Sequence, residues 1–108
     1  MTVEEMATQL HLTPICVSEP DREVEGGYIG DLLSWVMGNA QSGDVWITIM
    51  SNNNVVAVAV LVDVACVILS EGVTLDPGVL ELAEKKGINI FSTAESSFSI
   101  GAKVAALL

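Results

Sequence analysis

The feature that most constrains the fold is the apolar run of residues 55–69, which contains a single charged side chain, Asp63. Fully extended, this run would reach about 50 Å at about 3.3 Å per residue, which is too far for one strand of a small domain. The run must therefore be divided, and Asp63 is the obvious place. We predict an apolar helix over residues 55–62 and a buried strand over residues 64–69, although the propensity of the first half alone favours a strand.

Residues that cap or stop helices place most of the other elements. Thr2 followed by Glu5 is a capping-box pattern. Asp76-Pro77 is a cap followed by proline at the first helical position, and Gly87 marks a helix end. The predicted elements are a helix to about Leu10, a strand over residues 13–18, a strand or loop over residues 24–30, a helix capped by Asp31 and a strand over residues 45–50. They continue with the helix 55–62 capped by Asn53 or Asn54, the strand 64–69, a helix from Asp76-Pro77 to Gly87, a strand over residues 88–91 and a helix capped by Ser92 or Thr93.

Strands and helices alternate through the second half of the chain. Such alternation implies right-handed crossovers and a largely parallel sheet with helices on both faces. A chain of 108 residues suits one domain, which at this size buries roughly two thirds of its unfolded surface. No repeat, low-complexity tract or linker interrupts it. We predict a single compact three-layer α/β domain over residues 1–108.

The charge balance excludes several classes of partner. The formal net charge is −10, with only Arg22 and three lysines against 14 acidic residues. Without a basic patch to neutralise phosphates, we expect neither nucleic-acid binding nor attachment to an anionic membrane. No stretch matches the roughly 20 apolar residues of a membrane span, and Glu4 and Glu5 stand where a signal peptide would carry basic residues. We expect a cytoplasmic protein.

The residue types needed for the common catalytic and metal sites are sparse. Cys16 and Cys66 are flanked by apolar residues, which favours buried free thiols over a disulfide or a metal-binding pair. The single histidine, His11, lacks an acidic or cysteine neighbour in sequence. No Ser-His-Asp order, metal-ligand spacing or kinase-type glycine loop is present. We predict no catalytic residue, no metal site and no cofactor.

Three glycines precede the second predicted helix. Gly26, Gly27 and Gly30 could bring backbone N–H groups to an anion at the helix start, with Asp31 beside them. The spacing is not GxGxxG and no Walker lysine follows. A tight turn is the alternative interpretation, with Asp31 as a helix cap rather than a base.

Polar side chains follow several predicted strands. In open α/β sheets, ligands bind outside the carboxyl ends of the strands, so polar residues there are candidates for a small-molecule site. The same residue types are also ordinary caps, and that alternative stays open. The candidates are Asn52, Asn53 and Asn54 after the strand 45–50, Ser70 after the strand 64–69, and Ser92 and Thr93 after the strand 88–91.

Two tryptophans occur in a chain with few aromatic residues. Trp46 lies inside a predicted strand, and Trp35 lies on a predicted helix with Leu32 and Met37. Each tryptophan either packs in the core or, if exposed, belongs to a self-association surface. The candidate interface residues are Leu32, Trp35 and Met37.

The sequence resembles the DRTGG domain family. The resemblance rests on EGGYIGDLLS at residues 25–34, VWITI at residues 45–49, NVVAVA at residues 54–59, the Gly87-Ile88 turn and Ser92-Thr93. Of the namesake motif, only Gly26 and Gly27 match, because Val24 and Glu25 replace its arginine and threonine. Roles tied to those two polar residues are therefore not carried over to this chain.

Members of that family are accessory domains without an established chemistry. They occur alone or attached to CBS pairs, to phosphate acetyltransferases and, more distantly, to HPr kinase/phosphorylases, and they often self-associate. The resemblance implies an α/β fold and a homodimer, but no reaction. Our first hypothesis is a non-catalytic regulatory or assembly module that acts through homodimerisation and protein contacts. The alternative is a sensor of a nucleotide or small anionic metabolite at the carboxyl ends of the strands.

Overall fold

A computed structural model describes all residues from 1 to 108. It divides the apolar run at Asp63, as predicted, into a helix and a strand. The elements are α1 (Val3–Gln9), β1 (Thr13–Cys16), β2 (Gly26–Ile29), α2 (Leu33–Asn39), β3 (Asp44–Thr48), α3 (Asn53–Val62), β4 (Cys66–Leu69), α4 (Val79–Lys86), β5 (Ile90–Ser92) and α5 (Ser97–Leu107).

Asp63 ends α3 in the left-handed conformation, at φ 66° and ψ 48°, and its N–H donates to the carbonyls of Ala59 and Val60. Aspartate is one of the few residues other than glycine that adopt this conformation readily. The Arg22 guanidinium holds it there, donating to both carboxylate oxygens at 3.0 Å and to the main-chain carbonyl of Asp63 at 2.9 Å. The loop before β2 is thereby attached to the end of α3.

All five strands form one sheet, in the order β1-β5-β4-β3-β2. Neighbours from β2 to β5 run parallel, and β1 pairs antiparallel with β5. Both faces of β3 and β4 are buried, so residues 45–47 of β3 and all of β4 are continuously apolar rather than alternating. The prediction of a largely parallel sheet is confirmed.

Helices cover the sheet on both sides, which confirms the three-layer α/β architecture. Two buried clusters of thirteen residues each lie on opposite faces. The first cluster contains Val3 and Met6 of α1 with Ile100 and Val104 of α5, and the second contains Val36 of α2, Val55, Val56, Val58 and Ala59 of α3, and Val79 and Ala83 of α4.

Several helix caps are as predicted, and others differ. The capping box of Thr2 and Glu5 is present, and Gly87 ends α4 at φ 71°. The cap of α3 is Asn52 rather than Asn53 or Asn54, with its side-chain oxygen accepting from the N–H of Asn54 at 2.9 Å.

The helices α4 and α5 begin later than the sequence predicts. Asp76 accepts a hydrogen bond from the Ser51 hydroxyl at 2.9 Å, which holds it in the loop, and α4 begins only after Gly78 at φ 86°. The cap of α5 is Ser96 rather than Ser92 or Thr93, because Thr93 forms its own turn with Glu95. In both places another polar contact takes the side chain that the sequence suggested as a cap, from 25 positions away for Asp76 and from two positions away for Thr93.

Asn89 joins the loop after β1 to the sheet and is almost completely buried. Its amide nitrogen donates to the carbonyls of Glu19 (2.8 Å) and Ala65 (3.0 Å), while its oxygen accepts from the N–H groups of Ser18 and Glu19. Four hydrogen bonds satisfy this amide completely, so its loss would leave buried backbone groups without partners.

We expect Asn89→Ala to lower the free energy of unfolding by about 3 kcal/mol, because two carbonyls and two N–H groups lose their partner. The measurement is denaturant unfolding followed by circular dichroism. The exposed Gln41→Ala is the matched control and should change stability by less than about 0.5 kcal/mol. A loss below about 1 kcal/mol for Asn89→Ala would mean that water replaces the amide without difficulty.

Candidate functional site

The carboxyl ends of β2 to β5 meet at one edge of the sheet, as the parallel pairing requires. Asp31 lies at this edge after β2, and its carboxylate accepts from the Thr48 hydroxyl at 2.7 Å and the Ile49 N–H at 3.0 Å. The prediction that Asp31 caps α2 is therefore wrong. The cap position is Leu32, which forms no side-chain capping bond.

Ser70 lies at the same edge after β4 and is fully buried. Its hydroxyl bonds the hydroxyl of Ser97 at 2.6 Å, and the N–H of Ser97 donates to the carboxylate of Glu71 at 3.0 Å. The backbone of Glu71 has φ 60°, a conformation that few residues other than glycine adopt. A carboxylate of the chain thus occupies the N-terminus of α5, where an external anion would otherwise be favoured.

Ser92 and Thr93 are half-buried at the end of β5, whereas Asn52, Asn53 and Asn54 are exposed at the start of α3. The topology places both groups at the carboxyl edge, as predicted. Thr93 bonds the N–H of Glu95 at 3.2 Å, so its hydroxyl serves the local turn.

The glycine pair lies away from these residues. Gly26 and Gly27 open β2 opposite Asp44 and Val45, at the amino end of the strand, so the interpretation as a tight turn is wrong. A Cβ at Gly26 would stand 2.8 Å from the Asp44 carboxylate. A larger residue at this position would therefore require the Asp44 side chain to move.

The carboxyl edge is acidic. Four carboxylates follow its strands, those of Asp31, Glu71, Asp76 and Glu95. One of them, Glu95, is paired with a cation, the ammonium group of Lys103 at 2.8 Å. Hydrogen bonds from Lys103 and then from the Ser99 hydroxyl hold the pKa of Glu95 below its ordinary value. An anionic ligand would meet like charge here.

The hollows of the molecule lie elsewhere. One of about 110 Å³ lies at the opposite edge of the sheet, beside Arg22, Asp63 and Lys86. Another, of about 230 Å³, lies beside α1 and β1, against Pro14 and Phe91. No hollow is lined by any of the predicted ligand residues, and no three His, Cys, Asp or Glu side chains gather as metal ligands would.

The two tryptophans have different environments. Trp46 is fully buried and its indole N–H donates to the carbonyl of Gly30 at 2.9 Å, which confirms the core interpretation. Trp35 is 61% exposed on α2, next to Leu32 at 62%, and Met37 is also exposed. The core interpretation of Trp35 is therefore wrong, and an unburied tryptophan marks this surface as a candidate interface.

The sequence interpretation missed the outer side of α3. Val60 and Leu61 are exposed there, Leu61 by 70%. The signal in the sequence was the complete absence of charge from residues 53–62.

The cysteines are free and buried, as predicted. Burial raises the pKa of the Cys66 thiol to about 12, which keeps it protonated and unreactive at neutral pH. The Cys16 thiol donates to the carbonyl of Ile88 at 3.2 Å. Neither thiol is available for chemistry at the surface.

No helix combines the length and the apolar character that crossing a membrane requires. The longest, α5, has 11 residues.

The sheet order, the single antiparallel edge strand and the two helical layers define a three-layer α/β domain. Residues 18–107 match the DRTGG domain, and the chain belongs to this family. No curated protein matches the chain significantly.

Among solved structures, the chain is similar to the CBS and DRTGG domains of the regulatory region of Clostridium perfringens pyrophosphatase, complexed with the activator diadenosine tetraphosphate. The TM-score is 0.73 at 17% identity, over 95% of this chain and 45% of that one. The chain thus spans less than half of that regulatory region.

The contact between Arg22 and Asp63 makes stability depend on pH. Hydrogen bonds from Arg22 and then from Ser42 lower the pKa of Asp63. A lowered folded-state pKa means that the ionised carboxylate stabilises the fold above about pH 4, the ordinary value, and that this contribution disappears as pH falls through the folded pKa.

We expect Asp63→Asn to cost at most about 1 kcal/mol at pH 7, since the carboxylate is largely exposed and screened by water. Asparagine keeps the tolerance for the left-handed conformation, so only the charge is lost. The difference between variant and parent, measured by urea unfolding from pH 7 to pH 2, should vanish at the acid end. The control, Asp21→Asn, should show no such pH-dependent difference, and a constant difference for Asp63→Asn would indicate strain rather than charge.

Proposed function

We propose that this chain is a non-catalytic regulatory module that acts through protein contacts, with a homodimer as its working form in the cytoplasm. The observation that supports this function best is the exposure of Leu32, Trp35 and Met37 on and beside α2. Exposure of large apolar side chains to water is unfavourable, and their burial against a protein partner is favourable. Buried free thiols suit a reducing compartment.

The family and the structural neighbour favour a regulatory role. The neighbour is the regulatory region of a pyrophosphatase and contains CBS domains as well as a DRTGG domain. A domain of this kind influences a reaction by changing the arrangement of its partners, because binding to one arrangement shifts the equilibrium toward it.

The polar groups of the carboxyl edge favour a structural role over catalysis. Asp31 is held by Thr48 and Ile49, and Ser70 is held by Ser97. A general base or nucleophile needs a free lone pair or proton directed at a substrate, whereas these groups satisfy one another.

Self-association predicts a concentration-dependent change at Trp35. We expect light scattering to show a dimer at micromolar concentration, and the fluorescence of Trp35 to shift to longer wavelength on dilution as water returns. Trp35→Ala should weaken the dimer by about 30-fold or more, as expected for a tryptophan that becomes buried in an interface. Leu108→Ala, at an exposed apolar residue just after α5, is the control and should leave the dimer unchanged. A monomer at all concentrations would refute this form of the proposal.

A second candidate, sensing of a nucleotide, is favoured by one observation: the neighbour was solved with diadenosine tetraphosphate. In this chain the candidate contacts at the carboxyl edge are Asn52, Asn53, Asn54, Ser70, Ser92 and Thr93, with Asp31 at the same edge. The other predicted contacts, Gly26 and Gly27, lie away from them at the amino end of β2. The acidic carboxyl edge weighs against it, because several negative phosphates would need cations that the edge does not supply.

Thermal unfolding with adenine dinucleotides, mononucleotides and acyl phosphates tests the second candidate. A ligand at 100 times its Kd adds about 2.7 kcal/mol, which raises the melting temperature by several degrees. We expect no shift beyond about one degree for any of them. A clear shift that Asn53→Ala abolishes, and that the exposed Gln41→Ala retains, would replace the first function by the second.

A further inference from the structure

We propose that two copies of this chain meet through the outer side of α3, with Ala57 at the centre of the contact. This inference rests on the proposed self-association and places its centre on α3, which the sequence interpretation did not include.

The helix α3 is uncharged along its whole length, Asn53–Val62. Its inner side packs on the sheet through buried valines, yet Ala57, Val60 and Leu61 point outward and are exposed. These three positions share one side of a helix, at spacings of three and four residues. A helix that is apolar on all sides is typical of a helix covered on all sides.

The neighbouring helix extends the same property. Leu33–Asn39 of α2 also contains no charged residue, and α2 packs against α3. We call the exposed side of α3, formed by Ala57, Val60 and Leu61, together with the adjoining uncharged helix α2, the uncharged face. The helix on the other side of α3 differs, because α4 carries charges in its first and last turns.

The charge of the chain indicates which partner fits the uncharged face. A basic protein would be attracted by carboxylates at the point of contact, and this face has none. A membrane-bound helix needs lysine or arginine around its apolar side, whereas Arg22 and Lys86 lie only beside Val60, together with the carboxylates of Glu19 and Asp63. A second copy, with net charge −10, is accepted only where its carboxylates do not face those of the first. The uncharged face meets that condition when it is paired with itself, and a two-fold axis produces this pairing.

The size of the central residue suits such a contact. Ala57 is the smallest exposed side chain on α3 and is flanked by Val60 and Leu61 one turn later. A small residue at the crossing point lets two helices approach to about 8–10 Å, while larger neighbours fill the grooves on either side. Asn53 and Asn54 lie on the same side of α3, so their amides would border the contact.

A competing apolar surface exists on the other layer. Phe98, at the start of α5, is 86% exposed, and Ile29 is exposed nearby on β2. The helix α5 carries Lys103 and several hydroxyl groups, so this surface is more polar. It supplies the matched control for the test.

The first experiment is oxidative cross-linking of Ala57→Cys with copper phenanthroline. Residue 57 of one copy would face residue 57 of the other near the two-fold axis, so we expect most of the protein to form a disulfide-linked dimer within minutes. Cys16 and Cys66 stay protected by burial. Ala105→Cys, exposed on α5, is the control and should cross-link no faster than random collision allows.

The second experiment compares Leu61→Glu with Phe98→Glu by sedimentation equilibrium. Leu61→Glu places two like charges in a desolvated contact, and we expect the dimer to weaken at least about 30-fold. Phe98→Glu should leave it unchanged. Since both residues are exposed, both variants should fold, which circular dichroism checks. The parent dimer should also tighten when salt screens repulsion between the acidic copies.

The outcomes separate this inference from the proposal beneath it. A dimer that survives Leu61→Glu and does not cross-link through Ala57→Cys overturns the assignment to α3 but leaves self-association intact. Dissociation by Phe98→Glu alone assigns the contact to α5 instead. A parent protein that stays monomeric in high salt refutes both.

Discussion

The fold depends on a reversal of the backbone at Asp63. An aliphatic run as long as residues 55–69 cannot be one strand here, and its two halves are needed in different layers, one as α3 and the other as β4. The backbone reverses direction between α3 and β4 with an aspartate, rather than a glycine, in the left-handed region. Arg22, from a distant loop, stabilises this aspartate. Local chain geometry and a long-range ion pair together allow the central strands to become parallel neighbours.

The polar groups at the carboxyl edge show why position in a fold does not by itself define a binding site. Ligands favour this edge in α/β sheets because backbone and side-chain groups are often left without partners there. In this chain Asp31, Glu71 and Ser70 bond within the protein. The polar groups of this edge are bonded within the protein and the edge is negatively charged, whereas the outer sides of α2 and α3 are exposed and uncharged.

Much of the fold could be predicted because it follows from local signals. The capping box at Thr2, the stop at Gly87 and the break at Asp63 depend on neighbours within a few residues, and each is present. The errors arose where a distant group competes for the same atom. Thr48, on another strand, binds the carboxylate of Asp31, and Ser51 binds that of Asp76.

Other features required knowledge of tertiary contacts that spacing does not contain. Asn89 reads as an ordinary polar residue in a strand, yet its partners Ser18 and Glu19 lie some 70 positions earlier. Trp35 and Trp46 look alike in sequence, and only the packing of α2 on the sheet leaves one outside and the other inside. The same limitation applies to α3, whose inner and outer sides are equally apolar.

The pairing of β1 with β5 has a consequence for how the chain folds. Thr13 lies opposite Ser92, so this edge closes across nearly the whole length of the chain, and the remaining strand pairs are joined through helical crossovers rather than hairpins. A non-local pairing requires a long loop to close, which costs entropy before any stabilising contact has formed, and this slows folding. We therefore expect the segment from β3 to β4 to organise early and the amino-terminal strand to be added late. Until that happens, the edge of β5 stays open to other extended chains.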